Sequence, residues 1–232
     1  MARYTAAYSA FSKRLVEVEA LHRLAAEKER KDPIHFRDQI NALIRSSIVL
    51  LTSHVEAYIK ELGELALDSL YTKSVPRDRL ALSVYYHISK DILKSLKDTK
   101  KPEKIAEKVF SLLEQDGDFW VRTGAFPRHI EADRFNWGFA NPSIEKTKNY
   151  FGRFGYDRYE RDLKALMAGE YKLVMNAVNH VIEMRHQIAH GDLIVPYTPS
   201  DLLSNIGQTK KFCRYTDQSF ATWWRAEYCS IR

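Results

Sequence analysis

The feature that most constrains this chain is an apolar stripe in its first third. Ile44, Ile48, Leu51, Val55, Tyr58 and Leu62 recur at alternating steps of four and three, the spacing that gathers every member onto one face of a helix. A strand would throw neighbouring members to opposite sides, so the stripe demands a helix packed against other elements. A second stripe precedes it: Tyr4, Tyr8, Phe11, Leu15 and Val18 repeat in the same way. Asp32-Pro33 separates the two, because the residue before a proline is pushed out of helical geometry.

The rest of the chain reads as further helices. Glycine and proline are scarce, 9 and 7 residues of 232, and they fall at segment edges, which disfavours a many-turned β protein. Ser74-Val75-Pro76 restarts a helix through Leu80, Val84, Ile88 and Leu93 toward Lys97. Pro102 opens a shorter helix that Gly117 closes, the usual placing of proline near helix starts and glycine past helix ends. Residues 116–141 break every pattern and carry Trp120, Phe126, Phe135, Trp137 and Phe139. A stretch of that length inside a compact unit is packed or functional, and we read it as an ordered, aromatic-anchored excursion. Pro142-Ser143 starts a short helix ending near Gly152 and Gly155, and Tyr159, Leu163 and Leu166 mark another before Gly169. A helix from about Glu170 to His190 carries Val174, Val178, Val181, Ile188 and Ala189 on one face. Thr198-Pro199-Ser200-Asp201 reads as an N-cap, a proline at the first helical position and a carboxylate at the third, opening a last helix to about Tyr228. The expectation is one all-α domain over residues 1–232, an antiparallel helical bundle with peripheral helices and one long aromatic loop at 116–141.

Composition limits function more loosely. A formal charge of +6 and a pI near 9.1 lean mildly toward anionic partners, nucleic acid first, although most lysines between Lys90 and Lys108 alternate with Asp and Glu as on any solvated face. The first residues, MARYTAAYSAFSKRLVEVE, lack the apolar core of a signal peptide, and no stretch reaches membrane-spanning length; a cytoplasmic protein without a membrane partner is expected. Cys213 and Cys229 fall in one predicted helix, about 24 Å apart at 1.5 Å per residue, too far for a disulfide.

An arginine followed after four to six residues by a histidine is a weak pattern, and about two chance matches are expected in a chain of this composition. Three occur: Arg30 to His35, Arg122 to His129 and Arg185 to His190. The first straddles Asp32-Pro33 and the second lies in a loop with Gly and Pro. Only the third lies on a predicted helix. On a helical wheel Arg185 falls among Val174, Val178, Val181 and Ile188, and a guanidinium there needs a carboxylate, a phosphate or an interface. One reading pairs it with Glu56 and leaves His190 as a polar helix end before Gly191. The other lets the extended arginine reach the same phosphate as His190.

The string Arg185-His186-Gln187-Ile188-Ala189-His190-Gly191 resembles the Arg-x4-6-His motif of the HEPN superfamily, in which the residue after the arginine is typically polar. Ser47 to Leu62, SIVLLTSHVEAYIKEL, is similar to the earlier core helix of RiboL-PSP-type and related prokaryotic HEPN proteins, and Asn141 to Gly155, NPSIEKTKNYFGRFG, to a segment of the same group. The resemblance covers about Arg37 to His190 in order. It implies a helical bundle that pairs as a homodimer and brings two Arg-His sets into one cleft. It also implies a metal-independent endoribonuclease used as a toxin or in antiviral defence, with an antitoxin or regulatory protein as a further partner. By position Arg185 is then the phosphate clamp, His190 the acid–base and His186 an orienting or auxiliary group. Some members lack activity, so a catalytically silent module that binds RNA, a nucleotide or a protein is the alternative.

Weaker constellations remain. His186 and His190 are spaced like two ligands of a helical zinc motif, but Gln187 stands where that motif has its general base and no third ligand is apparent, so no metal or other cofactor is expected. Between Arg134 and Tyr159 aromatics interleave with positive charge, and Trp137, Tyr150, Arg153 and Arg158 are the candidates for stacking and holding unpaired RNA; the competing reading is that these aromatics anchor the excursion to the bundle. Glu56, with His54 nearby, is the candidate supporting carboxylate.

Overall fold

The computed structural model describes residues 4–191 and 196–232. Helix α1 spans Ala6–Lys31 and α2 spans Arg37–Thr72, 36 residues and about 54 Å at 1.5 Å per residue. The reversal between them is built by Asp32, whose side chain accepts from the backbone N–H groups of Ile34 and His35 at 3.1 and 2.9 Å, a local turn that competes with helix. The two helices run antiparallel. Phe11 packs on Tyr58 with ring centroids 5.5 Å apart, and Arg14 grips Glu61 through two bonds of 2.6 and 2.9 Å. Every residue of the stripe from Ile44 to Leu62 is buried, and Ala66, Leu67 and Leu70 prolong it; of the stripe on α1, Tyr8, Phe11, Leu15 and Val18 are buried while Tyr4, ahead of the helix, is exposed.

The last helix, α10 (Pro199–Glu227), closes this layer. It opens on a capping box in which Thr198 and Asp201 bond each other's backbone N–H, as the sequence indicated. The Tyr58 hydroxyl donates to the Cys213 carbonyl at 3.0 Å and the Trp224 indole N–H to the Ser69 hydroxyl at 3.0 Å, so α10 lies parallel to α2. Its Asp217 is fully buried and accepts from the Thr5 amide and hydroxyl, which ties the start of α1 to the middle of α10. Cys229 lies beyond the end of α10, and it and Cys213 are both free thiols, a correction to their expected place in one helix.

Between these layers the chain makes shorter elements: α3 (Leu82–Ile88), α4 (Lys90–Lys97), α5 (Pro102–Asp116), α6 (Ala132–Asn136), α7 (Ile144–Gly152), α8 (Tyr159–Met167) and α9 (Tyr171–Ala189). The single helix expected from Pro76 to Lys97 does not form: Arg77–Arg79 make a 3-10 turn, Leu80 and Ala81 are extended, and the helix that starts at Leu82 is broken at Ser89. That hydroxyl is buried, donates to Asp116 at 2.8 Å and accepts from the Trp120 indole at 2.9 Å, so long-range bonds override helix continuation. Asp116 also takes a 2.7 Å bond from Arg134 and so pins α5 to α6.

The excursion at 116–141 is ordered by its aromatics: Phe119, Phe126, Phe135 and Phe139 are buried, while Trp120 and Trp137 stay 40% and 63% exposed. The Arg77 guanidinium holds it further, donating to the carbonyls of Asp118 and Thr123, the latter at 3.0 Å through Nε. The structure is all-α, and among the described residues no helix is long and apolar enough to cross a membrane.

Candidate functional site

Helix α9 buries Val174, Met175, Val178, Val181 and Met184. Its end is set by Gly191, whose φ of 104° lies in the left-handed region open to glycine. The His190 amide still donates to the carbonyls of His186 and Gln187 at 3.1 and 3.0 Å, and that of Gly191 to Ile188 at 3.1 Å. His190 is therefore the C-cap of the helix, held in place by backbone bonds, and its ring makes no hydrogen bond with a described residue.

The two imidazoles stand side by side. His186 and His190 are both exposed, with ring centroids 4.8 Å apart and planes at 82°. Arg185 is half-buried, since Met184 fills the buried face one residue earlier. Its guanidinium forms no ion pair or hydrogen bond with any described residue. One helix end thus carries two exposed imidazoles and a guanidinium with no partner among the described residues, groups whose chemistry suits holding an anion and moving protons.

Glu56 is engaged elsewhere. One carboxylate oxygen takes the Lys60 ammonium at 2.7 Å and the other accepts from the Asn141 backbone at 3.2 Å. It is bonded to its own helix and to the end of the aromatic excursion, and the expected pair with Arg185 does not form. His54 is buried between α1 and α2, 3.7 Å from Glu17. Burial, and then the Arg14 charge, hold it below the ordinary histidine value.

The candidate RNA-binding residues divide. Tyr150 is fully buried, donates to the Asn136 side chain at 2.7 Å and offers no face to a base. Phe151, Phe154, Tyr156 and Tyr159 are buried with it: Phe151 stacks on Phe220 at 4.6 Å and Tyr156 on Trp223 at 4.3 Å. For these residues anchoring prevails over stacking. Arg153 donates to the carbonyls of Phe135 and Trp137, and Arg158 pairs with Asp162 at 3.1 Å. Trp137 alone of the four presents an open aromatic surface.

Sequence reasoning missed the groove that α9 forms with α10, lined by Asn176, Asn179, His180, Glu183, Asn205 and Gln208. Its α9 members occupy the face that leads along the helix to His190, and the signal was the run of polar residues opposite the valine stripe. Among the described residues no three His, Cys, Asp or Glu side chains gather as metal ligands.

Comparison with curated proteins and with solved structures finds no match. A family model does match: RiboL-PSP-HEPN, over residues 9–222. That match takes in most of α1 through most of α10, the helix end bearing Arg185, His186 and His190 included, and the chain belongs to the RiboL-PSP-HEPN family.

Proposed function

We propose that this protein is a metal-independent endoribonuclease that cuts RNA by attack of the RNA's own 2′-OH. The observation that carries the reading is the helix end where the exposed His186 and His190 follow a half-buried Arg185 that has no carboxylate partner among the described residues. A half-buried guanidinium with no partner among the described residues carries a desolvation cost that a bound phosphate would offset.

In this reading His190 takes the proton from the 2′-OH as the oxygen attacks phosphorus, and Arg185 neutralises the charge gathering on the phosphorane. A second imidazole returns a proton to the departing 5′-oxygen, leaving a 2′,3′-cyclic phosphate and a 5′-hydroxyl. His186, 4.8 Å from His190, orients that ring or serves as the acid itself. Since one Arg-His pair does not easily provide both acid and base, the protein works as a homodimer with two sets in one cleft. The whole chain acts as one such domain, in the cytoplasm, as a toxin or antiviral-defence effector that an antitoxin or regulatory protein holds in check.

The test is incubation of the purified protein with total RNA, with and without excess EDTA, beside Arg185→Ala and His190→Ala. Cleavage is expected in both buffers for the wild type and in neither for the variants. Binding without cleavage by the wild type would instead identify a catalytically silent module.

A further inference from the structure

A second group of cations lies away from α9 and is unused by the chemistry above. Lys90 and Lys94 stand one turn apart on α4, and their ammonium groups lie 5.3 and 5.6 Å from the centroid of the Trp137 ring. Arg153 reaches the same place from the end of α7 and donates to the carbonyls of Phe135 and Trp137. It thereby fixes the loop that carries the indole. None of the three cations forms an ion pair with a described carboxylate.

Their convergence is felt by Lys90 and by His87. Burial, and then the charges of Arg153 and Lys94, push the Lys90 ammonium below its usual value, with Asp91 alone opposing. His87 is pushed down to about 4 by burial and then by Lys90, Arg153 and Lys94. Gathering like charges at a surface costs free energy unless an anion offsets it. Beside them Trp137 is 63% exposed. An open indole flanked by uncompensated ammoniums is the combination that holds unpaired nucleotides, the ring stacking on a base and the cations neutralising phosphates. A carboxylate-rich peptide would use the lysines and leave the indole idle.

We propose that Trp137, Lys90 and Lys94 form a binding platform for single-stranded RNA, with Arg153 as the residue that positions the indole. The choice of RNA rests on the nuclease reading; the place of the platform does not. It gives the protein a grip on its substrate separate from the helix end where the phosphate is cut.

Binding to a fluorescently labelled 2′-O-methyl RNA dodecamer, which has no 2′-OH to attack, separates the two sites. Trp137→Ala should weaken binding roughly 5- to 150-fold, the usual worth of one stacked base, and Trp137→Phe should restore most of it. In Lys90→Ala/Lys94→Ala, log Kd plotted against log salt should flatten by about 1.4, at about 0.7 for each phosphate no longer neutralised. Arg185→Ala should stop cleavage of ordinary RNA, and Trp137→Ala made in that background should weaken dodecamer binding by the same factor as in the wild type. Native circular dichroism with unchanged affinity and slope in the double lysine variant would overturn the platform, whether or not the protein cuts RNA. Displacement of the dodecamer by polyglutamate on equal terms would also overturn it, in favour of a protein-docking surface. Wild-type binding that follows this pattern without any cleavage would leave the platform standing and remove the nuclease.

Discussion

Replacing Arg185 separates a guanidinium kept for chemistry from one kept for stability. Breaking a buried ion pair by removing one partner costs about 3–5 kcal/mol, because the other charge is left stranded. Here no described carboxylate would be stranded. Arg185→Ala removes two methylenes beyond Cβ from a half-buried position; at about 0.8 kcal/mol per fully buried methylene that is roughly 1 kcal/mol. Arg185→Met keeps the apolar stem beside Val181 and should change stability by less than about 1 kcal/mol in either direction. Urea unfolding followed by far-ultraviolet circular dichroism measures both, and both variants should be inactive on RNA. A loss of about 3–5 kcal/mol in Arg185→Ala that Met fails to recover would refute the argument and return the residue to a structural ion pair.

Other expectations follow from the same geometry. Light scattering should give about twice the chain mass of 27.0 kDa, and a monomer that still cuts RNA at high micromolar concentration would remove the paired cleft. His87, ordinarily near 6.5 and near 4 in the fold, is kept neutral by its surroundings, so its contribution is present above pH 6.5 and is lost as pH falls toward 4. The stability difference between wild type and His87→Phe should shift by about 2 kcal/mol across that window, solvent around the half-buried ring screening the rest, and a flat difference would contradict the assigned burial. Gly63 lies in α2, where a Cβ would collide with the Tyr150 hydroxyl and fall 2.9 Å from the Phe154 ring. Gly63→Ala should therefore destabilise by about 1–3 kcal/mol despite the roughly 1 kcal/mol that alanine favours a helix; a higher melting temperature would show that the rings yield freely.

The long helices were legible because burial and local pattern agree in them. The stripe from Ile44 to Leu62, the break at Asp32-Pro33, the Thr198–Asp201 cap and Gly191 after His190 are short-range signals, and the structure carries each of them. The break at Ser89 was not legible, because it depends on bonds to Asp116 and Trp120, about 30 residues away. The aromatics from Tyr150 to Tyr159 read equally as a stacking surface or as an anchor. Only their contacts with Phe220, Trp223 and Trp224 decide for the anchor. Glu56 failed for a similar reason: Lys60 at i+4 was visible as a partner, whereas the Asn141 amide is supplied by a loop whose path no periodicity reports. The cations around Trp137 come from two distant segments: Lys90 and Lys94 read as ordinary solvated charge, and although Arg153 was a candidate for holding RNA, no periodicity showed that it would meet them.

In the proposed chemistry Arg185 and His190 cut RNA by turning its own 2′-OH on the adjacent phosphate. The most direct measurement uses a short RNA with one scissile position, assayed in excess EDTA against the same strand carrying a single 2′-deoxy sugar just 5′ of that phosphate. The all-ribose strand should be cut to an upstream fragment ending in a 2′,3′-cyclic phosphate. The substituted strand should bind with similar affinity and stay intact, since the attacking oxygen is gone while the phosphate contacts remain. Cutting of the substituted strand, or activity lost in EDTA and restored by a divalent ion, would contradict the chemistry assigned to Arg185 and His190.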